Sequence, residues 1–256
     1  IVSSTDISPL ERQQAGLQLK RFLGLSKELP CNLQDGIKRR LVELLGCESW
    51  RPSTVGLSIQ TLFEQDETEW PEIIPVLVNN ISINKAMMAS IETLGYLCST
   101  RSKKSVLESH MDTILTGTIH CVTNPDLGIK MTALRALSSC LECAAANFAR
   151  ASERDVILQV VCEATQTGNA EVTGLAIECL NKMVSLFYCL LEDYMRPALV
   201  PLSLCCLQSD QERLVMLGIE FWSSVCEQEE RLAADGDCEE NTLETLIQNT
   251  GTSGVL

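Results

Sequence analysis

The sequence predicts an all-α fold in which one pair of helices recurs along the chain. Three observations carry that prediction. Four octets share an apolar stripe: IETLGYLC (91–98), LRALSSCL (134–141), IECLNKMV (177–184) and IEFWSSVC (219–226). Their fourth residues, Leu94, Leu137, Leu180 and Trp222, follow at steps of 43, 43 and 42 residues. An apolar segment of helical spacing precedes each octet, and its anchors Ile114, Ile157 and Leu199 repeat the steps of 43 and 42. Aromatic residues make up only 4% of the 256-residue chain, and no run alternates Val, Ile or Thr between hairpin dipeptides. A period in the low forties with two helices per unit marks HEAT or armadillo-type repeats, which stack into a right-handed α–α superhelix.

The first helix of each unit is called A here and the second B. Ser8-Pro9-Leu10-Glu11 opens the chain's first helix with a capping box: a cap, a proline at the first helical position and a glutamate that reaches back. AGLQLKRFL (15–23) and TVGLSIQTLF (54–63) read as early B helices, and KELPCNLQDGIKRRLVELLG (27–46) as the A helix between them. Spacing is looser here, with only 32 residues from Leu62 to Leu94, and the first unit lacks its A helix. The later A helices are PEIIPVLVNNI (71–81), MDTILTGTIHCV (111–122), RDVILQVVCEAT (154–165) and YMRPALVPLSLCCL (194–207). Pro71 suits a first helical position, whereas Pro75, Pro197 and Pro201 fall inside A patterns and are expected to kink or break them. Asn124-Pro125-Asp126 and Ser209-Asp210 are expected to cap B helices. Ser152 is expected to cap an A helix starting near Glu153, with Asp155 in its first turn. The array is expected to run over 1–230, as about five full repeats plus a partial first. Residues 231–256 read as an acidic loop, a short helix and a polar tail, the start of a further repeat.

One helix pair buries too little apolar surface to offset the ordering of its backbone, so each unit needs neighbours. The recurring stripe is therefore the seam between successive units. Neither end carries a polar capping repeat, and the chain begins at Ile1 rather than Met, as in a processed piece of a longer array that self-associates at high concentration.

Net charge is −14, which disfavours direct nucleic-acid binding and favours a basic partner. The longest apolar runs, about eight residues, are too short to span a membrane. No charged n-region leads into an apolar h-region, so no secretory signal is expected. The 13 cysteines are odd in number and read as reduced core residues on helix faces, notably Cys98, Cys140, Cys162, Cys179 and Cys226. Cys140 and Cys143 form a C-x-x-C inside an octet, which reads as packing rather than a metal or redox motif. No phosphate loop, dinucleotide fingerprint or nucleophile elbow occurs. His120 beside Cys121 reads as a helix-surface residue, and DGDCEE (235–240) lacks calcium-loop spacing. The expectation is a protein without catalytic residues, cofactor or metal.

Several stretches carry a resemblance more specific than the period. WRPST (50–54), WPEIIPVLVNNI (70–81), AANFARASERDVILQVVCEATQ (145–166) and GIEFWSSVCEQEE (218–230) resemble the importin-β family of nuclear transport receptors, in order and separation, from about residue 11 to 230. A phosphatase scaffold would share the period but not VVCEATQ or FWSSVC. The match implies the N-terminal part of such a receptor, roughly its first six repeats. It implies partners rather than substrates: RanGTP, Phe-Gly nucleoporins, and an importin-α adaptor or basic cargo held mainly by downstream repeats outside this sequence. It implies residence in the cytoplasm, the nucleus and the pore complex of the nuclear envelope, with no membrane or nucleic-acid contact. The alternative is a HEAT scaffold subunit organising another complex.

The resemblance also places two sites. The family takes a nucleoporin Phe ring into a slot between adjacent outer A helices. The matching positions are Leu115, Thr116 and Ile119 on one, and Glu153, Val156 and Ile157 on the next, with Tyr194 nearby. Val156 stands where the family has a bulkier Phe. RanGTP lies on the inner B helices, where Lys20 and Arg51 match family positions and Glu92 and Arg135 are polar members of the octets. The competing reading for the apolar set is packing between repeats, and for the charged set ordinary solvated surface.

Overall fold

The structure is a computed structural model that describes residues 6–25, 30–48, 50–65, 70, 72–84, 86–100 and 102–235. Every regular element among them is helical. The chain divides into two compact units, 1–144 and 145–256.

In the first unit the B helices are α1 (Pro9–Leu25), α3 (Thr54–Gln65), α5 (Met87–Cys98) and α8 (Leu127–Cys140). The A helices are α2 (Cys31–Leu44), α4 (Ile73–Ser82) and α7 (Met111–Val122), the last preceded by a short α6 (Lys104–Ser109). Each B helix packs on the next, α1 on α3, α3 on α5 and α5 on α8, and α2, α4 and α7 pair with α3, α5 and α8. This is the paired-helix repeat the sequence predicts. Ile91, Leu94, Leu97, Leu134 and Leu137 are fully buried, so these two octets are indeed seams.

Glycine sets the closeness of the B ladder. A Cβ on Gly16 would lie 2.0 Å from Thr54 Oγ1, and one on Gly95 would lie 3.0 Å from the Ala136 Cα. Any side chain at those points would force the helices apart. The capping box forms as expected: Ser8 Oγ donates to Glu11 Oε2 at 2.6 Å and accepts from Glu11 N at 3.3 Å. Asp126 caps α8 by accepting from Ile129 N at 2.9 Å. The N-terminus of α3 is held by a group that the sequence reading missed. The carboxylate of Glu48, only 6% exposed, accepts from Thr54 N at 2.9 Å and Val55 N at 3.2 Å, and from the hydroxyls of Ser53 and Thr54. An anion facing a helix N-terminus satisfies orphan amides and the helix dipole together.

The second unit holds α9 (Ala145–Ala149), α10 (Ala151–Thr165), α11 (Ala170–Phe187), α12 (Glu192–Tyr194), α13 (Val200–Leu207) and α14 (Glu212–Asp235). A helices α10 and α13 pack on B helices α11 and α14, and α11 packs on α14. Asn169 caps α11 by accepting from Glu171 N and Val172 N, both at 3.1 Å. Asn181 Nδ2 donates to Leu217 O at 3.0 Å, and Tyr188 donates to the buried Glu229, so polar contacts tie α11 to α14 along its length. Phe148 and Phe187 stack with centroids 4.1 Å apart.

Several expectations change. Ser152 is not a cap: α10 begins at Ala151 after Arg150, whose side chain makes no capping bond. Ser209 Oγ accepts from Gln211 N, one residue ahead of α14. Pro75 does not kink α4, because it is the third residue, where an amide hydrogen has no intrahelical acceptor anyway. Pro197 and Pro201 do disturb their helix. Two missing amides four residues apart deprive the carbonyls of Asp193 and Pro197 of their i+4 donors, and Met195–Leu199 widens into a π-helical turn. The fourth octet is only partly core: Phe221 and Val225 are buried, Trp222 is half-buried and Ile219 is 51% exposed. Cys162 is half-buried and Cys226 exposed, rather than core. Residues 170–190 are long and apolar enough to cross a membrane by length and composition, contrary to the short runs noted above, but 61% of that window is buried and α11 is a core helix. Helix α14 runs past 230 to Asp235, while Pro71 and residues 236–256 lie outside the described residues.

Candidate functional site: a groove between two B helices

A pocket of about 440 Å³ opens in the first unit. Glu92, Gly95 and Tyr96 of α5 form one wall, Thr132, Arg135, Ala136 and Ser139 of α8 the other, and Arg51 and Pro52 close one end. The spacings of three and four residues put each wall on one helix face, opposite the buried stripe. The close approach of Gly95 and Ala136 makes the floor. The volume lies in the range of a ligand cleft.

Glu92 organises the site. Its Oε1 accepts from Tyr96 OH at 2.8 Å and from Ser53 N at 3.4 Å. Its Oε2 has no hydrogen-bond donor and is held by the charge of Arg51, whose Nε is 3.3 Å away. The Arg51 Nη1 donates to Trp50 O at 2.8 Å, which orients the guanidinium at the mouth. Burial, and then the hydrogen bond to Glu92, push the Tyr96 phenol far above its ordinary value, so it stays a proton donor. Arg135 is exposed on the facing helix. The groove thus sets two guanidiniums, that of Arg51 paired with Glu92, and the Tyr96 ring above a floor of Gly95 and Ala136.

Arg51, Glu92 and Arg135 all line this groove, whereas Lys20 is half-buried on α1 and is not part of its wall. Tyr96, Thr132 and Ser139 were missed in the sequence, where they stand as ordinary helix residues. The A-helix candidates divide by exposure. Leu115 and Ile157 are core, 3% and 1% exposed. Thr116 is exposed, with its hydroxyl on Asp112 O at 2.7 Å, and Ile119 is half-buried. In the second unit Val156 is 47% exposed. Glu153 accepts from Asn147 Nδ2 and Arg150 Nη2, both at 2.7 Å. Tyr194 donates to Asp155 and lies under the Arg154 guanidinium, 5.7 Å from its ring centroid.

Nucleophile chemistry finds no support at the pair considered. His120 is exposed, while the Cys121 thiol is buried, and burial pushes it up to about 11. An activated cysteine is shifted the other way. No group of three or more His, Cys, Asp or Glu able to hold a metal occurs among the described residues.

No family model matches the chain. Importin subunit beta-1 of Schizosaccharomyces pombe is 30% identical over 241 residues, 86% of this chain and 28% of that protein. The Arabidopsis thaliana importin subunit beta-1 is 36% identical over 170 residues, 65% of this chain and 19% of that protein. A crystal structure of importin beta superposes with a TM-score of 0.80 at 28% identity, covering 93% of this chain and 30% of its own. A Kap95:Nup1 complex gives 0.78 at 26% identity, covering 91% and 30%. Kap95p in a structure concerned with the switch loops of RanGDP gives 0.74 at 26%, covering 91% and 29%. The chain thus spans less than a third of the length of the relatives it matches. Repeat period, fold and sequence identity agree: the chain belongs to the importin-β family of HEAT-repeat proteins.

Proposed function

We propose that this chain is the Ran- and nucleoporin-binding part of a nuclear transport receptor that moves between cytoplasm and nucleus through the pore. Ran in its GTP form docks on the B helices, with Arg51, Glu92 and Arg135 at the contact and Lys20 at its edge. Phe-Gly nucleoporins touch the exposed members of the A-helix sets: Thr116 and Ile119 on α7, and Glu153, Val156 and Tyr194 in the second unit. Importin-α or basic cargo binds mainly through later repeats. The observation that carries the Ran assignment is that three residues chosen from the sequence converge on one groove. Its support from relatives is a solved Kap95p structure that concerns RanGDP, and the nucleoporin reading is supported by a Kap95:Nup1 complex.

Titration with Ran loaded with a non-hydrolysable GTP analogue, and with GDP, tests this reading. The GTP form binds and the GDP form binds far more weakly. Binding of neither form favours the scaffold alternative. For the second surface, Val156→Asp weakens a Phe-Gly peptide several-fold, because an unpaired carboxylate meets an aromatic ring. An unchanged affinity with helicity intact removes Val156 from the surface.

A further inference from the structure

Cys98 is the last residue of α5 and Cys140 the last of α8. Both are free thiols, 3% and 0% exposed. Their sulfurs lie 3.3 Å apart, with the Cys140 thiol donating to Cys98. The encounter is built into the helix pair, because one turn earlier Gly95 lets α5 touch Ala136 of α8. A covalent bond needs the sulfurs at about 2.05 Å. That closure draws the end of α5 towards the point where α8 passes into a 3-10 turn. A third buried thiol, Cys143, sits in the 3-10 turn after α8 and serves as an internal control.

We propose that Cys98 and Cys140 are a modification site: they form a reversible disulfide by exchange with a small disulfide such as oxidised glutathione. When the helix ends open, one cysteine thiolate attacks a glutathione sulfur, the glutathione S–S bond breaks, and one glutathione thiolate leaves. The second cysteine thiolate then attacks the mixed disulfide, forms the Cys98–Cys140 bond and expels the second glutathione thiolate. The two protons lost by the cysteines end on the two glutathiones. Two protein thiols are oxidised and one glutathione disulfide is reduced. Burial makes the first attack slow, because it disfavours the thiolate, and it equally shields the finished bond. The bond ties the end of α5 to the end of α8, the two helices that wall the groove. Formation of the bond does not depend on what the groove binds.

The test incubates the dilute full chain with oxidised glutathione and maps its peptides without reduction. The expected product links the Cys98 and Cys140 peptides with loss of two hydrogens, and reductant reverses it. Amide exchange in the last turns of α5 and α8 slows by about tenfold, as expected when a local opening is blocked. Cys140→Ser abolishes both effects and Cys143→Ser keeps both. The wild-type map decides the matter even if a variant fails to fold. A bond from either cysteine to Cys143 overturns the proposal. So does finding Cys98 and Cys140 unlinked while the exposed Cys189, Cys205 and Cys226 are oxidised.

Discussion

Glu92 and Glu48 do unlike work with the same carboxylate. Glu92 holds Tyr96, Ser53 and Arg51 together at the groove. Glu48 holds the N-terminus of α3. Removing a buried acceptor leaves its donors without partners, at about 1–3 kcal/mol each net of relaxation. Glu48→Ala is therefore expected to destabilise the protein by about 2–3 kcal/mol in urea unfolding, beyond an ordinary cap loss. A loss within the error of the wild type would mean that the hydroxyls of Ser53 and Thr54 re-cap the helix. The sequence made Glu92 and Arg135 legible as polar letters in an apolar octet. It hid Tyr96, Thr132 and Ser139, because their meaning lies in the juxtaposition of α5 and α8, which no local pattern encodes. Glu48 was hidden for a related reason: it precedes its helix by six residues, outside the usual capping position.

At the scale of the element, glycine and proline decide the outcome by context. Gly36 of α2 has nothing within 4 Å of an added Cβ, so Gly36→Ala gains only helix propensity. It is expected to stabilise by about 0.5–1 kcal/mol. Gly16→Ala has the same propensity gain but sets a Cβ 2.0 Å from Thr54 Oγ1 and 2.7 Å from its Cβ. Overpacking of about 1–3 kcal/mol outweighs the gain, so this variant is expected to be the less stable one in thermal unfolding. Stabilisation by both would show that α1 does not press on α3. The capping box of α1 adds a pH dependence. The side chain of Ser8, then its amide, bonds Glu11 and lowers its carboxyl from 4.5. A lowered native value means that the stabilisation is complete above pH 4.5 and fades as pH falls through the native value. Amide exchange in the first turn of α1 should speed up on acidification, and Glu11→Gln should flatten that dependence. Caps of this kind were readable, as were helix periods. The π-helical turn was not, since the pattern shows that Pro197 and Pro201 disturb a helix but not which of several distortions relieves them.

Across the whole molecule, charge is unevenly shared. Residues 1–144 carry 14 Lys and Arg against 16 Asp and Glu, and residues 145–256 carry 6 against 18. The net is −2 in one unit and −12 in the other, so the strong acidity belongs to the second unit. The groove lined by Arg51 and Arg135 sits in the near-neutral one. The 43-residue period gave the architecture from sequence because every unit must repeat the same seam to bury its apolar face. The proposed Ran contact rests instead on a few charges on the opposite faces. The most direct measurement is the affinity of the GTP-analogue form of Ran for the wild type, for Arg135→Glu in the groove, and for Lys130→Glu on the same helix outside it. Arg135→Glu is expected to weaken binding by more than about tenfold, roughly 1.4 kcal/mol or more, and Lys130→Glu to leave it nearly unchanged. Equal losses from both, or none from either, would remove Ran from the groove.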